Sequence, residues 1–173
     1  KDGKFTFETK DIKVVINTKI GTLDKYEVYG IDYITGNAFL PLVIKDDENS
    51  WAHKEKAFSN VIGKFTLMDK VRGAQFSGII DGTNPESVRV IEDGEVRTVV
   101  EAVMEYEHSQ LCLRYYLPKK GTEIKVTAKV YWNEKMTMLK LAVPTVCQEG
   151  FIGQTAYGSE KLLTNGNEMV SHK

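Results

Sequence analysis

The chain has 173 residues, 42% hydrophobic, 10% aromatic and 27% charged, and its 23 Lys+Arg against 24 Asp+Glu leave a formal charge of -1. That length suits one ordinary domain with a real core, and the even charge balance argues against a protein held to nucleic acid by a basic surface. No apolar run approaches the roughly 20 residues that a membrane helix needs, so neither nucleic acid nor membrane is an expected partner.

Short strands are predicted at 4–6, 12–17, 26–34, 39–44, 61–68 and 74–80, with Gly21, Gly30, Gly36 and Gly73 as punctuation. Only 51–58 looks able to form a helix, and a short one. From Ser87 onward the alternation is clearest. Across 96–106 the even positions are mostly apolar, while Arg97, Glu101 and Glu105 fall on the opposite face. A period of two puts alternate side chains on opposite faces of a strand, so this reads as a half-buried strand.

Leu111, Leu113, Tyr115 and Leu117 alternate against Cys112, Arg114 and Tyr116 in the same way. In 122–132 the even set Ile124, Val126, Ala128, Val130 and Trp132 is expected to face a core, with Glu123, Lys125 and Lys129 in water. Asp93-Gly94 suits a hairpin because Gly tolerates positive φ. Glu107-His108-Ser109 and Pro118-Lys119-Lys120-Gly121 supply two further reversals, and a last strand at 138–143 stops at Pro144. The expectation is an all-β protein, a large antiparallel β-sandwich with little or no helix, forming one domain over 1–173 with one dry and one wet face on the meander that runs from Ser87 through the 138–143 strand.

The inventory for chemistry is thin. His53, His108 and His172 are widely separated, without a Cys or carboxylate at metal-ligand spacing. Cys112 and Cys147 form no Cys-x-x-Cys and read as free thiols in a reducing compartment, with a single bridge between them as the alternative. Strand alternation accounts for Glu101, Glu105 and Glu123 as structural carboxylates of a solvated face. The exception is the segment Asp46-Asp47-Glu48-Asn49-Ser50-Trp51-Ala52-His53, which gathers acidic, amide, hydroxyl, indole and imidazole groups after a strand. Loops carry sites more often than strands do. An exposed Trp51 beside polar groups can stack on a sugar ring, and a solvated acidic turn with Trp51 in the core is the alternative.

Several segments stand out as a set. They are Asp47-Glu48-Asn49-Ser50-Trp51 with Phe58-Ser59-Asn60-Val61-Ile62-Gly63-Lys64-Phe65, then Val90-Ile91-Glu92-Asp93-Gly94-Glu95-Val96-Arg97-Thr98. Tyr131-Trp132-Asn133-Glu134-Lys135 with Met138-Leu139-Lys140-Leu141 follows, and then Gly153-Gln154-Thr155-Ala156-Tyr157-Gly158 with Asn165-Gly166-Asn167-Glu168. In this order they resemble glycoside hydrolase family 38, the α-mannosidases. The resemblance implies part of the C-terminal β-sandwich, of the galactose-mutarotase-like supersandwich kind, from a larger zinc-dependent retaining glycosidase.

In that family the zinc ligands and the aspartate nucleophile belong to the catalytic portion, whose motifs are not found here. No catalytic residue, metal ligand or cofactor is therefore assigned to this chain, and alone it is expected to be inactive. Its implied partners are the parent's catalytic domain and, through the parent enzyme, an α-mannoside. Asp46, Asp47, Trp51 and His53 are the candidate substrate-binding residues, walling one side of a pocket with Trp51 stacking and Asp46 or Asp47 accepting sugar hydroxyls. The start at Lys1 without Met and the end at Lys173 fit a piece of a larger chain, and Lys-Asp-Gly-Lys-Phe-Thr-Phe shows no signal-peptide pattern. A cytoplasmic, bacterial origin is the expectation. The competing readings are a stand-alone carbohydrate-binding module and a mutarotase-like aldose epimerase with His108 as the candidate.

Overall fold

The structure is a computed structural model that describes residues 2–48, 58–147 and 150–162. The strands are β1 (Lys4–Glu8), β2 (Ile12–Asn17), β3 (Leu23–Val28), β4 (Ile31–Asp32), β5 (Leu40–Lys45), β6 (Val61–Lys64) and β7 (Thr66–Leu67). After helix α1 (Lys70–Phe76) come β8 (Val88–Asp93), β9 (Arg97–Tyr106), β10 (Ser109–Pro118), β11 (Lys125–Tyr131), β12 (Thr137–Ala142), β13 (Phe151–Thr155) and β14 (Gly158–Leu162). β1 to β4 form one meander, and β11-β10-β9 form a second sheet in which β8 and β7 share the far edge of β9. β12-β5-β6 and the β13–β14 hairpin complete the set. The described strand pairs are antiparallel, and the protein is an all-β sandwich.

The alternating residues build the sandwich core. Ile12, Val14 and Ile16 of β2 meet Val100, Ala102 and Met104 of β9 and Leu111, Leu113, Tyr115 and Leu117 of β10 in one buried cluster. Each fully buried Val, Leu, Ile or Met side chain among them contributes about 1.5–3 kcal/mol relative to exposure. Polar contacts fix how the sheets sit. The Tyr115 hydroxyl donates to the Gly21 carbonyl at 2.7 Å, and that of Tyr26 donates to the Thr122 carbonyl at 2.6 Å.

Four expectations need correction. The strand expected at 74–80 overlaps a helix, because the Asp69 carboxylate accepts the Val71 and Arg72 N–H groups at 2.9 Å and caps a first turn. The strand expected at 26–34 is a hairpin. Tyr29 and Gly30 both take positive φ, 50° and 84°, which reverses the chain in two residues between Val28 and Ile31. The strand expected at 61–68 changes sheets at buried Phe65: β6 pairs with β5 while β7 pairs with β9. Finally, Gly94 closes the β8–β9 turn through its N–H to the Arg97 carbonyl without adopting positive φ. The helix expected at 51–58 lies almost wholly outside the described residues, and Phe58 itself has φ 45°.

The faces also differ from expectation. β9 is covered on both sides, since Val103 packs with Met68 and Cys112 in a second small core under α1. Gly73 permits this approach, because a Cβ there would lie 2.9 Å from Ser87 Oγ and 3.2 Å from Val103 Cγ2. Glu101, expected in water, is consequently only 4% exposed. At β11 the opposite holds: Val126 packs on the core, but Ala128 and Val130 are exposed on an edge strand bonded only to β10 within the described sheet. Cys112 is buried, Cys147 is exposed, and both are free thiols.

Candidate functional site

The acidic loop begins where β5 ends. The β5–β12 register pairs Lys45 with Thr137, which brings the start of the loop beside the turn before β12. There the Asp46 N–H donates to the Met136 carbonyl at 2.8 Å, and the Asp46 carboxylate accepts the Asp47 N–H at 2.8 Å. Both aspartates are half-buried. Across the sheet, Lys140 donates to the Phe58 carbonyl at 2.8 Å, and burial lowers the pKa of its ammonium. One strand end thus carries two carboxylates on an anchored backbone. Trp51 and His53 lie outside the described residues.

A second polar cluster lies on the α1 side of the larger sheet. Register makes it: Glu101 of β9 is directly opposite Arg89 of β8 and Arg114 of β10, so three side chains form a row across three strands. Arg89 Nη2 donates to Glu101 Oε1 at 2.7 Å, and Arg114 Nε donates to Oε2 at 2.8 Å. The Cys112 thiol lies 3.4 Å from the same Oε2, and Arg89 also donates to Ser77 Oγ. Burial alone would raise the Glu101 carboxyl, but the hydrogen bonds from Arg114, Cys112 and Arg89 outweigh it and hold the group below its usual range. Burial, reinforced by the Glu101 charge, pushes the Cys112 thiol up to about 11, so it is a poor nucleophile.

Alternation assigned Glu101 to a wet face and gave no hint of this cluster. Counting from the Glu107-His108 turn brings Arg114 opposite Glu101, but counting from Asp93-Gly94 would place Val90 there, and only the register shift between Val90 and Glu92 brings Arg89 into the row.

His108 sits exposed in the β9–β10 turn, where its backbone N–H, not its ring, donates to Glu134 Oε1 at 2.9 Å. The same oxygen accepts from Ser109 Oγ, which in turn accepts the Asn133 N–H. This network ties the turn to the segment before β12. Among the described residues, no three His, Cys, Asp or Glu side chains converge as a metal-ligand set.

The pattern for the glycosyl hydrolases family 38 C-terminal domain matches residues 71–157, half of the chain. The chain belongs to this family. The family 38 match takes in α1 apart from Lys70 and the strands β8 to β13, and so contains the whole Arg89–Glu101–Arg114 row. It also contains the 90–98 and 131–141 segments of the resemblance, whereas 47–65 precedes it. No curated protein matches the chain.

Proposed function

We propose that this family 38 domain serves a zinc-dependent retaining α-mannosidase, in which the 46–53 loop walls one side of the substrate pocket. Family membership over 71–157 supports a glycoside hydrolase setting with a carbohydrate substrate and a catalytic partner domain. The observation that carries the site is the anchored backbone of Asp46 and Asp47 at the end of β5. A pocket between domains needs a rigid wall with a few placed polar groups. Carboxylates there accept sugar hydroxyls, Trp51 offers a stacking face, and His53 adds a further hydrogen-bonding group.

Retaining hydrolysis uses a nucleophile and an acid/base carboxyl about 5 Å apart. In this reading both groups, and the zinc, belong to the catalytic portion, and this chain contributes orientation and exclusion of water. Zinc would supply positive charge and oxygen ligation at the reacting sugar, with no described side chain of this domain as its ligand set.

The test uses the parent enzyme. Trp51→Ala and Asp47→Asn are expected to raise KM or lower kcat on α-mannosides well beyond any loss of stability. Unchanged kinetics in folded variants would overturn the assignment of the loop. Saturable mannoside binding by this chain alone would instead favour a stand-alone carbohydrate-binding module.

A further inference from the structure

The Arg89–Glu101–Arg114 row floors a cavity of about 410 Å³, separate in the fold from the loop after β5. Its walls come from the end of α1 and its following residues, and from β8 to β11. Phe76 and Tyr131 close one side, with ring centroids 5.8 Å apart and planes at 88°. Lys129 stands at the wall, its Nζ 5.2 Å from the Tyr131 ring centroid.

The charges lining this cavity do not balance. Arg89, Arg114 and Lys129 supply three positive charges, and Glu101 supplies the one negative charge. Glu101 has both oxygens engaged, one by each arginine. Arg89 is also engaged by Ser77 Oγ and the Glu86 carbonyl, and its side chain is only 12% exposed. Arg114 differs: it uses Nε on Glu101, and its side chain is 46% exposed at the cavity. A concave wall with surplus positive charge concentrates anions, and a guanidinium held in place by a buried carboxylate is oriented before any ligand arrives.

We propose that this cavity binds a compact oxyanion, a phosphate or carboxylate group carried by a small molecule, through Arg114 and Lys129, with Glu101 and Arg89 holding Arg114 in place. The aromatic pair forms the apolar side on which the rest of such a molecule rests. This goes beyond the mannosidase reading and does not depend on it.

Titration of the full chain with inorganic phosphate, and separately with acetate, followed by amide NMR shifts against sodium chloride of equal ionic strength, tests the proposal. A saturable response centred on residues 89, 101, 114 and 129 is expected, and the anion that gives it identifies the group recognised. Lys129→Glu, an exposed substitution that leaves the fold alone, is expected to abolish it. Arg114→Lys, which keeps a cation beside Glu101, should weaken it about tenfold through loss of a charge-assisted contact. No saturable response to either anion, or an equal response in Lys129→Glu, would overturn the proposal.

Discussion

The Tyr115 hydroxyl reaches across the sandwich to the Gly21 carbonyl at 2.7 Å, joining the larger sheet to the turn between β2 and β3. Burial keeps that hydroxyl protonated far beyond ordinary pH, so the bond stays donated from tyrosine. Tyr115→Phe removes the donor and leaves a carbonyl without it in the interior. The expected loss is about 1–3 kcal/mol, read by urea denaturation. An unchanged midpoint would mean that the carbonyl finds another partner.

Gly21 itself is the harsher target. It has φ 78°, and a Cβ there would lie 2.5 Å from Met104 Cε and 3.0 Å from Ala102 Cβ. Gly21→Ala adds left-handed strain of about 1–2 kcal/mol to overpacking of about 1–3 kcal/mol. It should therefore lower the urea midpoint more than Tyr115→Phe does. The reverse order would show that the β2–β3 turn yields easily.

Glu101→Gln leaves two arginines facing a neutral amide, one of them nearly buried. Removing one partner of a buried ion pair costs about 3–5 kcal/mol. The half-exposed Arg114 recovers solvent, so the lower end is expected. The carboxyl also sets an acid limit. Its folded pKa lies below the unfolded value near 4.5, so its contribution is complete above that pH and is lost as pH falls through the folded value. Wild type should lose stability below about pH 4.5 more steeply than Glu101→Gln. Parallel acid profiles would contradict this.

The two thiols should separate chemically. Cys112 is buried with its pKa raised to about 11, whereas Cys147 is exposed. At mildly alkaline pH, iodoacetamide should label Cys147 promptly and Cys112 only in denaturant, as followed by mass spectrometry. Equal labelling rates in the folded protein would mean that the core under α1 opens readily.

Local sequence was a good guide wherever one face decides the strand. The alternation of Leu111, Leu113, Tyr115 and Leu117 located β10, and the turn residues around it located its ends. It misled at Glu101, because a period of two identifies the opposite face of β9 without saying what covers that face. The cover is α1, seven residues long with Gly73 in the middle, too short for a helical period to emerge. Asp69, three residues before Arg72, was its one local signal, and it became evident only with both N–H donors in place. The Arg89–Glu101–Arg114 row was hidden for a different reason: pairing register across three strands is a long-range fact. The end of β5, from which the 46–53 loop departs, was legible because an apolar strand gives way there to a run of polar residues.

β9 has β10 along one edge and β7 and β8 along the other, with the sandwich core on one face and α1 on the other. A strand enclosed in all four directions has no local opening that leaves its neighbours intact, so its amides exchange with solvent deuterons only when the sheet as a whole comes apart. The amides between Val99 and Met104 should be the slowest in the chain, and their exchange rate should report the global unfolding free energy. Exposed β4 and the outer edge of β11 should exchange earlier, giving an internal scale of protection from rim to centre.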